Sequence, residues 1–472
     1  MRAALVLAAA VGVASALLPP APATAVAGGG RVIVLRPGHA QLVEDGVVRG
    51  SVPLPRGAVT IATLVRAVGD PAWASMSGGG DVVLRAGISQ RPGTELYVRA
   101  PARTVRLADS AAFLNGTRAR VYFRGVTVTS APAPGGRPAP ESPHRPYLRY
   151  LDRSTVSIVS STFEGLGAAS TRNHGVTVGA GGVLSAVDST FRAGSRGIDV
   201  YRAARVSLTR VRAEGNTEAG VLVNQAGAVR LTDVTASENT GTGIVLRGPL
   251  RAPGLERVAS ERNGTGVELS RLGGVPVGPL RTAGNRWSGI ALDRCPRCVL
   301  AGVDATGDRT GILVERQSRG SSVTGGTVRA ARRVGVMVAA GGVRLRQLTV
   351  ESAPGAVGLR VPPGVPDARI ESSAFHGGAV AVSIDGDRTS VLDTSVTGAR
   401  TGVRIGGDAT AAVVGSVRLE GTTELPAMPV RWIALLGLLV VAAAITLEVL
   451  RRLRERRDER TVSAPDHVTN TA

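Results

Sequence analysis

The chain contains no lysine, so every one of its 56 basic residues is an arginine. Aromatic residues make up only 3% of the 472 residues, and there are five histidines and two cysteines. Because no histidine or second cysteine pair stands near Cys295 and Cys298, the sequence predicts neither a metal site nor a cofactor. Helix-turn-helix and zinc-finger spacings are absent, as are basic patches interleaved with aromatic residues. We therefore do not expect nucleic acid to be a partner.

A glycine followed by an aliphatic residue recurs through the second half of the chain at steps of 21 to 24 residues. The glycines are Gly175, Gly197, Gly220, Gly243, Gly266, Gly289, Gly311, Gly335, Gly358 and Gly402, and Ala381 keeps the register in place of one further glycine. A fixed period of this length indicates a solenoid, in which each repeat buries its apolar face against its neighbours.

The first and third residues after each glycine are aliphatic and mostly β-branched, as in Val176 and Val178 or Ile198 and Val200. Alternation at a period of two is typical of a β-strand. The sequence therefore predicts an all-β fold, a right-handed parallel β-helix with about 11 regular coils of 22–23 residues and three short strands in each coil. The handedness is taken from known β-helices. Residues 145–425 would form the regular coils, and residues 28–144 an N-terminal cap and irregular first coils, with a Pro/Gly-rich loop at 131–143.

Two apolar segments predict how the chain is placed relative to a membrane. Residues 1–27 resemble a secretory signal peptide, with Arg2, an apolar run and a small-residue cleavage site. Residues 430–450 are long enough to cross a bilayer as one helix. The following tail, residues 451–472, begins with six arginines in ten residues, so the positive-inside rule places it in the cytoplasm. We expect a single-pass protein of the cell membrane whose β-helix is extracellular.

In such a coil the second and fourth residues after each glycine point outward and form two rows. The densest polar patch in these rows and beside them supplies the candidate binding residues Asp199, Asn224, Arg247, Arg271 and Arg294 and the weaker catalytic candidates Tyr201, Glu268 and Asp293. For abstraction of the proton next to a uronate carboxylate, Arg247 would neutralise the carboxylate, Tyr201 would donate a proton and Glu268 or Asp293 would act as the base. The alternative is a solvated face on which acids and arginines pair across neighbouring coils.

The two cysteines form a Cys-x-x-Cys sequence at an expected coil corner. A strand-to-helix turn of the kind that carries redox-active pairs is not expected there. A disulfide between Cys295 and Cys298 that staples the turn, or two unreactive thiols, are the two interpretations we retain.

Six short segments, taken together, resemble the periplasmic mannuronan C5-epimerases that act in alginate production. They are residues 84–94 (LRAGISQRPGT), 112–115 (AFLN), 145–148 (RPYL), 161–167 (STFEGLG), 265–271 (TGVELSR) and 288–294 (SGIALDR). The resemblance implies a β-helix and an anionic polysaccharide as ligand. The chain differs from the family in its predicted membrane anchor, because family members are typically soluble.

The catalytic motif of that family, Asp-Pro-His-Asp, is missing. The motif can be aligned with this chain in two registers one coil apart, at residues 222–225 (LVNQ) or at residues 245–248 (VLRG). Neither segment contains the histidine that the family uses as acid and base. The five histidines of the chain are His39, His144, His174, His376 and His467. His174 directly precedes Gly175, and we expect it to be a surface residue at a coil corner.

The net charge of +20 is spread along the chain, which favours a polyanionic partner. We therefore expect a membrane-anchored rod that binds or guides an anionic polysaccharide at the cell surface without converting it, with a membrane-bound polysaccharide synthase as a candidate neighbour. One alternative is an active uronate C5-epimerase or polysaccharide lyase that uses other residues. A second alternative is an accessory or structural β-helix protein with no carbohydrate ligand, since a fold does not imply a function.

Overall fold

Each glycine-aliphatic pair of the sequence lies in a short strand, and these strands stack in parallel into one sheet of 15, here called the first sheet. They are Arg31–Arg36, Gly87–Gln90, Phe113–Thr117, Tyr147–Leu151, Gly175–Val178, Arg196–Tyr201, Ala219–Asn224, Thr242–Arg247, Thr265–Ser270, Ser288–Leu292, Thr310–Val314, Val334–Val338, Val357–Val361, Val380–Ile384 and Thr401–Ile405. The computed structural model describes residues 30–110, 112–407, 409 and 411–421. The prediction of an all-β parallel solenoid is confirmed, with about 15 turns.

The remaining wall of the solenoid is a second sheet of 25 strands. They are Ala58–Thr60, Ala74–Met76, Asp81–Leu84, Glu95–Val98, Thr104–Leu107, Arg120–Arg124, Thr127–Thr129, Thr155–Val159, Thr162–Glu164, Val183–Arg192, Arg205–Glu214, Ala228–Ser237, Arg251–Glu256, Val258–Glu261, Pro276–Val277, Leu280–Ala283, Val299–Thr306, Ser322–Ala331, Arg344–Ser352, Arg369–Glu371, Ala374–Gly377, Ser390–Leu392, Thr394–Thr397, Val413–Val414 and Val417–Glu420. The long strands bend at one residue with positive φ, such as Asp188 (50°) or Arg210 (52°), so these coils have three straight segments.

The recurring glycine is required because its side-chain position points into the coil stack. A Cβ on Gly220 would lie 2.7 Å from the carbonyl oxygen of Gly243 in the next coil and 2.9 Å from the Nδ2 atom of Asn239. A Cβ on Gly335 would collide with a methyl group of Val350.

Beside these glycines runs a buried ladder of amide side chains, formed by Asn216, Asn239, Asn263 and Asn285 and ended by the carboxyl group of Asp308, each at most 1% exposed. The Nδ2 atom of Asn216 donates to Oδ1 of Asn239 at 2.9 Å, and Nδ2 of Asn239 donates to Oδ1 of Asn263 at 2.9 Å. Their backbone N–H groups donate to the same oxygens at 2.9 and 2.8 Å. The ladder therefore satisfies the polar groups of a tight inner corner, where water has no access.

The N-terminal end of the stack differs from the regular coils. Strands His39–Glu44 and Val47–Pro53 form a hairpin that extends the first sheet in antiparallel fashion beyond Arg31–Arg36. One helix, Ile61–Val68, begins after the capping residue Thr60, whose Oγ1 accepts from the N–H of Thr63 at 3.1 Å. The helix buries its apolar face in the main core, which is a continuous cluster of aliphatic side chains from Ile33 to Val403.

The structure also shows where the Pro/Gly-rich loop and the two cysteines lie. Residues 131–143 contain no strand and are mostly exposed. The sulfurs of Cys295 and Cys298 are bonded to each other, and both residues are buried at the corner that follows Ser288–Leu292.

The predicted signal peptide (1–27), membrane helix (430–450) and basic tail (451–472) lie outside the described residues. Within the part that is described, no helix combines the length and apolar character needed to span a bilayer.

Gly335→Ala should lower the free energy of unfolding by about 2 kcal/mol, because the added methyl group overpacks the core against Val350. Urea unfolding followed by circular dichroism measures the change. Gly274→Ala is the matched control, since nothing lies within 4 Å of its Cβ position. Equal stability of the two variants would contradict the inward position of the repeat glycine.

Asn239→Ala should lower the free energy of unfolding by about 3 kcal/mol, because it leaves buried donors and acceptors of Asn216, Asn263 and Ala213 without their partner. The same urea titration tests this. Thr240→Ala, at the exposed neighbouring position, should change the midpoint very little. If Asn239→Ala unfolds at the wild-type urea concentration, the ladder does not stabilise the corner.

Candidate functional site

The candidate site lies on the outer surface of the first sheet, here called the first face. In the regular coils up to Ile384 the first and third residues after each glycine are at most 1% exposed, so the second and fourth face outward. The register stacks these residues in the two rows expected from the sequence. One row runs through Thr177, Asp199, Leu222, Val245 and Glu268, and the other through Tyr201, Asn224, Arg247 and Ser270. Successive members of a row are about 4.8 Å apart.

Five charged side chains meet on four neighbouring coils, and we call them the acidic cluster: Arg247, Glu268, Asp293, Arg294 and Glu315. Nη2 of Arg247 donates to Oε1 of Glu268 at 3.0 Å, and Nε and Nη2 of Arg294 donate to Oδ2 of Asp293 at 3.0 and 2.8 Å. Burial, followed by the negative charge of Asp293 and then of Glu268, raises the pKa of Glu315. The cluster thus contains one acid–arginine pair across coils, one pair within a coil, and one carboxyl whose pKa is raised.

A second group, the histidine cluster, lies where the strands of the first face begin and consists of His174, Arg196, Asp199 and Glu218. Nε of Arg196 donates to Oε2 of Glu218 at 2.6 Å, and Nη1 of Arg196 lies 3.4 Å from Oδ1 of Asp199. Nδ1 of His174 lies 3.7 Å from Oε2 of Glu218, and the histidine side chain is only 13% exposed. The expectation of a surface histidine here is wrong, because the imidazole is mostly buried beside Glu218.

Burial is the largest influence on the two titrating groups of the histidine cluster. It lowers the pKa of His174, and the charge of Arg196 lowers it further. Burial raises the pKa of Asp199, which is 4% exposed, while the charges of Arg196 and His174 act in the opposite direction. We therefore expect a neutral imidazole beside the guanidinium of Arg196 at neutral pH.

Several polar atoms around the histidine cluster are buried and have no hydrogen-bond partner among the described residues. They are Nδ1 of His174, Oγ1 of Thr177 and Nε of Arg149. Arg149 lies opposite Thr177 in the ladder, and Thr177 lies opposite Asp199, so the three coils are adjacent. Since buried polar groups are nearly always hydrogen-bonded, these atoms mark the part of the face where protein groups alone do not satisfy the polar side chains.

The loop at residues 131–143 borders this part of the face. Oε1 of Glu141 accepts from the N–H of Ala169 at 2.7 Å, and its Oε2 accepts from the hydroxyl of Thr217 at 2.7 Å. Thr217 directly precedes Glu218 of the histidine cluster. The loop therefore folds back along the edge where the first-face strands begin, here called the near edge.

The structure brings together some of the residues predicted from the sequence and separates others. Arg247, Glu268, Asp293 and Arg294 are neighbours, whereas Asp199 is three coils from Glu268, which corresponds to about 14 Å. Tyr201 is four coils, about 19 Å, from Asp293, so these two cannot act on the same sugar ring. Asn224 is half-buried between the two clusters, and Arg271 is exposed at the corner after the strand.

Sequence reasoning missed Arg196, Glu218 and Glu315, and it treated His174 as a surface residue. The two outward rows begin after each glycine, whereas His174 and Arg196 stand immediately before one. A charged or titratable residue directly before the repeat glycine is the signal that would have drawn attention to them. Glu315 belongs to the outward row, but its burial cannot be read from its position in the row. That burial raises the pKa of Glu315.

The other described histidines lie away from the first face. His39 begins the N-terminal hairpin, His144 is exposed after the loop, and Nδ1 of His376 lies 2.6 Å from Oγ1 of Thr397 on the second sheet. Across residues 30–421 as described, no three histidine, cysteine or acidic side chains are grouped so as to hold a metal ion.

No protein-family model matches the chain, and no curated protein matches it. Similar solved structures include the periplasmic alginate epimerase AlgG, 16% identical over 77% of this chain and 83% of that chain, with a TM-score of 0.48. The A-module of the Azotobacter vinelandii mannuronan C-5 epimerase AlgE6 is 15% identical over 74% of this chain and 88% of that chain, with a TM-score of 0.35. The receptor-binding domain of the siphovirus 9NA tailspike is 10% identical over 79% and 76%, with a TM-score of 0.38. These similarities concern the fold.

Glu315→Gln should make the protein more stable than the wild type at pH 7 and leave its stability unchanged near pH 3. A carboxyl whose pKa is raised by folding stabilises the folded state at a pH below its unfolded pKa of about 4.3, and that contribution is lost as the pH rises through the folded value. Urea unfolding across this pH range measures the difference. Glu351→Gln removes the same charge from the second sheet, where the side chain is 51% exposed. If both variants show the same pH dependence, the environment of Glu315 is not special.

Proposed function

We propose that the protein binds an extended anionic polysaccharide along the first face, outside the cytoplasm, and does not convert it. The observation that carries the proposal is the straight outward row from Tyr201 to Glu315, in which a polar or charged side chain recurs on every coil at a spacing of about 4.8 Å. A linear chain of sugar rings lying along the solenoid axis has a repeat of similar length. It would meet equivalent positions on successive coils.

Arginines on the face and at its corner supply the charge for such a ligand. Arg247 is 32% exposed and Arg294 is 50% exposed, although both pair with acids of the acidic cluster. Arg271 is exposed at the corner next to them. With a net charge of +20 over the whole chain, the long-range field also attracts a polyanion.

The sequence resemblance to mannuronan C5-epimerases falls mainly on this face. Five of the six resembling segments overlap strands of the first sheet: Gly87–Gln90, Phe113–Thr117, Tyr147–Leu151, Thr265–Ser270 and Ser288–Leu292. A likeness due only to the packing of aliphatic ladders would be spread equally over the second sheet. This distribution supports a polyuronate as the class of ligand.

The non-catalytic part of the proposal is supported by the separation of the groups that a proton transfer needs. In the acidic cluster Arg247 and Asp293 are already paired with opposite charges, and the nearest tyrosine of the rows, Tyr201, is two coils from Arg247. Anchoring by residues 430–450, and a membrane-bound synthase as neighbour, remain parts of the proposal that rest on the sequence alone.

A uronate epimerase or lyase is a second candidate function, and one observation favours it. The histidine cluster combines the mostly buried imidazole of His174 with Arg196 and Asp199. A base, His174, and a cation, Arg196, are therefore close together. Proton abstraction next to a carboxylate needs such a combination. The catalytic site would then be three coils from Glu268, not at Arg247.

Binding is tested with the full-length protein in detergent, titrated calorimetrically with polymannuronate and polygalacturonate and, as a neutral polymer, with dextran. The double variant Arg247→Ala/Arg271→Ala should weaken polyuronate binding at least tenfold at low salt, because two charged contacts are lost. Arg281→Ala, an exposed arginine of the second sheet, is the control and should bind normally. Equal binding by all three proteins would contradict the placement of the ligand on the first face.

Conversion is tested by following the anomeric protons of the same polymers by NMR. We expect the spectrum to remain unchanged. The appearance of the epimer or of unsaturated chain ends would overturn the non-catalytic proposal, and its loss in His174→Ala would assign the activity to the histidine cluster.

A further inference from the structure

Trp287 is the most exposed large apolar side chain among the described residues, with 57% of its surface accessible. It directly precedes the strand Ser288–Leu292 and therefore stands at the near edge of the first face. Tryptophan is usually buried to a large extent, because its ring offers more apolar area than any other side chain. The residues around the ring show why it is exposed at the edge of the proposed binding face.

The ring is held against a glycine in the neighbouring coil. The turn of that coil is one residue shorter than the one before it: Gly264 alone joins Asn263 to Thr265, whereas two residues join Asn239 to Thr242. A Cβ on Gly264 would lie only 2.8 Å from Cζ3 of Trp287, so the indole lies across the glycine backbone. The shortened turn creates the space that the ring occupies.

Backbone and side-chain hydrogen bonds fix this turn on both sides. The N–H of Trp287 donates to the carbonyl of Gly264 at 2.8 Å, and the N–H of Thr310 donates to the carbonyl of Trp287 at 3.0 Å. Nη2 of the preceding residue, Arg286, donates to the carbonyl of Thr240 at 2.6 Å, two coils away. The ring thus rests on a rigid support and remains open to solvent on its other side.

The positions beside Trp287 along the near edge form a shelf. The equivalent residues of the three preceding coils are Glu218, Gly241 and Gly264. The indole itself covers Gly264, so the open part of the shelf is the backbone at Gly241, a position that carries no side chain. On the other side the equivalent residue is Arg309, which is exposed. From Glu218 to Trp287 the near edge measures three coil spacings, about 14 Å, and the indole fills the part over Gly264.

We propose that Trp287 is a stacking platform for a pyranose ring of the bound polysaccharide, with the glycine shelf as its floor and Arg309 beside it for a uronate carboxylate. The apolar C–H face of a sugar ring covers an indole face and removes apolar area from water, and the rigid support means that little side-chain entropy is lost. This inference rests on the proposed function and adds to it a subsite at the near edge that recognises the ring rather than its charge.

The experiment uses the full-length protein and follows tryptophan fluorescence during titration with oligomannuronate and oligogalacturonate, with affinity measured separately by calorimetry. Of the three tryptophans, Trp73 is buried and Trp432 belongs to the predicted membrane segment, so the exposed indole of Trp287 should dominate a blue shift on binding. Trp287→Ala should abolish the shift and weaken binding about tenfold, and Trp287→Phe should bind with intermediate affinity because it keeps a ring. Val48→Ala, at another exposed apolar side chain, should behave as the wild type.

Salt separates this subsite from the arginines. The loss caused by Trp287→Ala should be the same at low and high salt, whereas the loss caused by Arg247→Ala/Arg271→Ala should shrink as salt screens the charges. If the wild type binds but Trp287→Ala, folded by circular dichroism, binds equally well, the stacking platform is refuted and the proposed function stands. If the wild type binds neither oligouronate, the proposed function falls and this inference falls with it.

Discussion

The in-register parallel stacking of coils is the constraint on which the rest of the molecule depends. Each regular coil satisfies its backbone N–H and C=O groups through the coils on either side, so no coil can shift along the chain without exposing polar groups in an apolar interior. The repeat glycines enforce the close approach of neighbouring coils, because a Cβ at Gly220 or Gly335 would meet the next coil or the core. The buried amide ladder from Asn216 to Asp308 then closes the sharpest inner corner with side chains in place of water.

The same stacking determines the chemistry of the outer surface. Residues at equivalent positions lie about 4.8 Å apart, so like charges in one row would repel and opposite charges pair. One corner of the second sheet illustrates this, since Arg210 donates to both carboxylate oxygens of Asp188 and Arg257 to both of Asp233. On the first face the pairs Arg247–Glu268 and Arg196–Glu218 follow the same rule. A binding face built in this way is rigid and periodic, which suits a periodic polymer better than a compact ligand.

Within that face the two clusters differ in a way that bears on function. The acidic cluster is partly open and internally paired, whereas the histidine cluster is mostly buried, with polar atoms around it that have no hydrogen-bond partner among the described residues. Trp287 and the glycine shelf lie along the edge at which the histidine cluster also lies. A polysaccharide on this face would therefore meet charge in the rows and an apolar ring surface at the near edge, two kinds of recognition with different dependence on salt.

The sequence by itself determined the solenoid, the repeat length and the two outward rows, because the alternation after each glycine is local and repeats in every coil. It also placed Arg247 beside Glu268, since neighbours in a parallel stack follow from the repeat spacing. The same spacing puts Tyr201 four repeats from Asp293, too far for the two to act together. Only the tertiary structure decided that His174 is mostly buried beside Arg196 and Glu218, and that Trp287 rests on Gly264. Those facts depend on how loops and shortened turns fold across coils, and a periodic pattern carries no information about the places where it is interrupted.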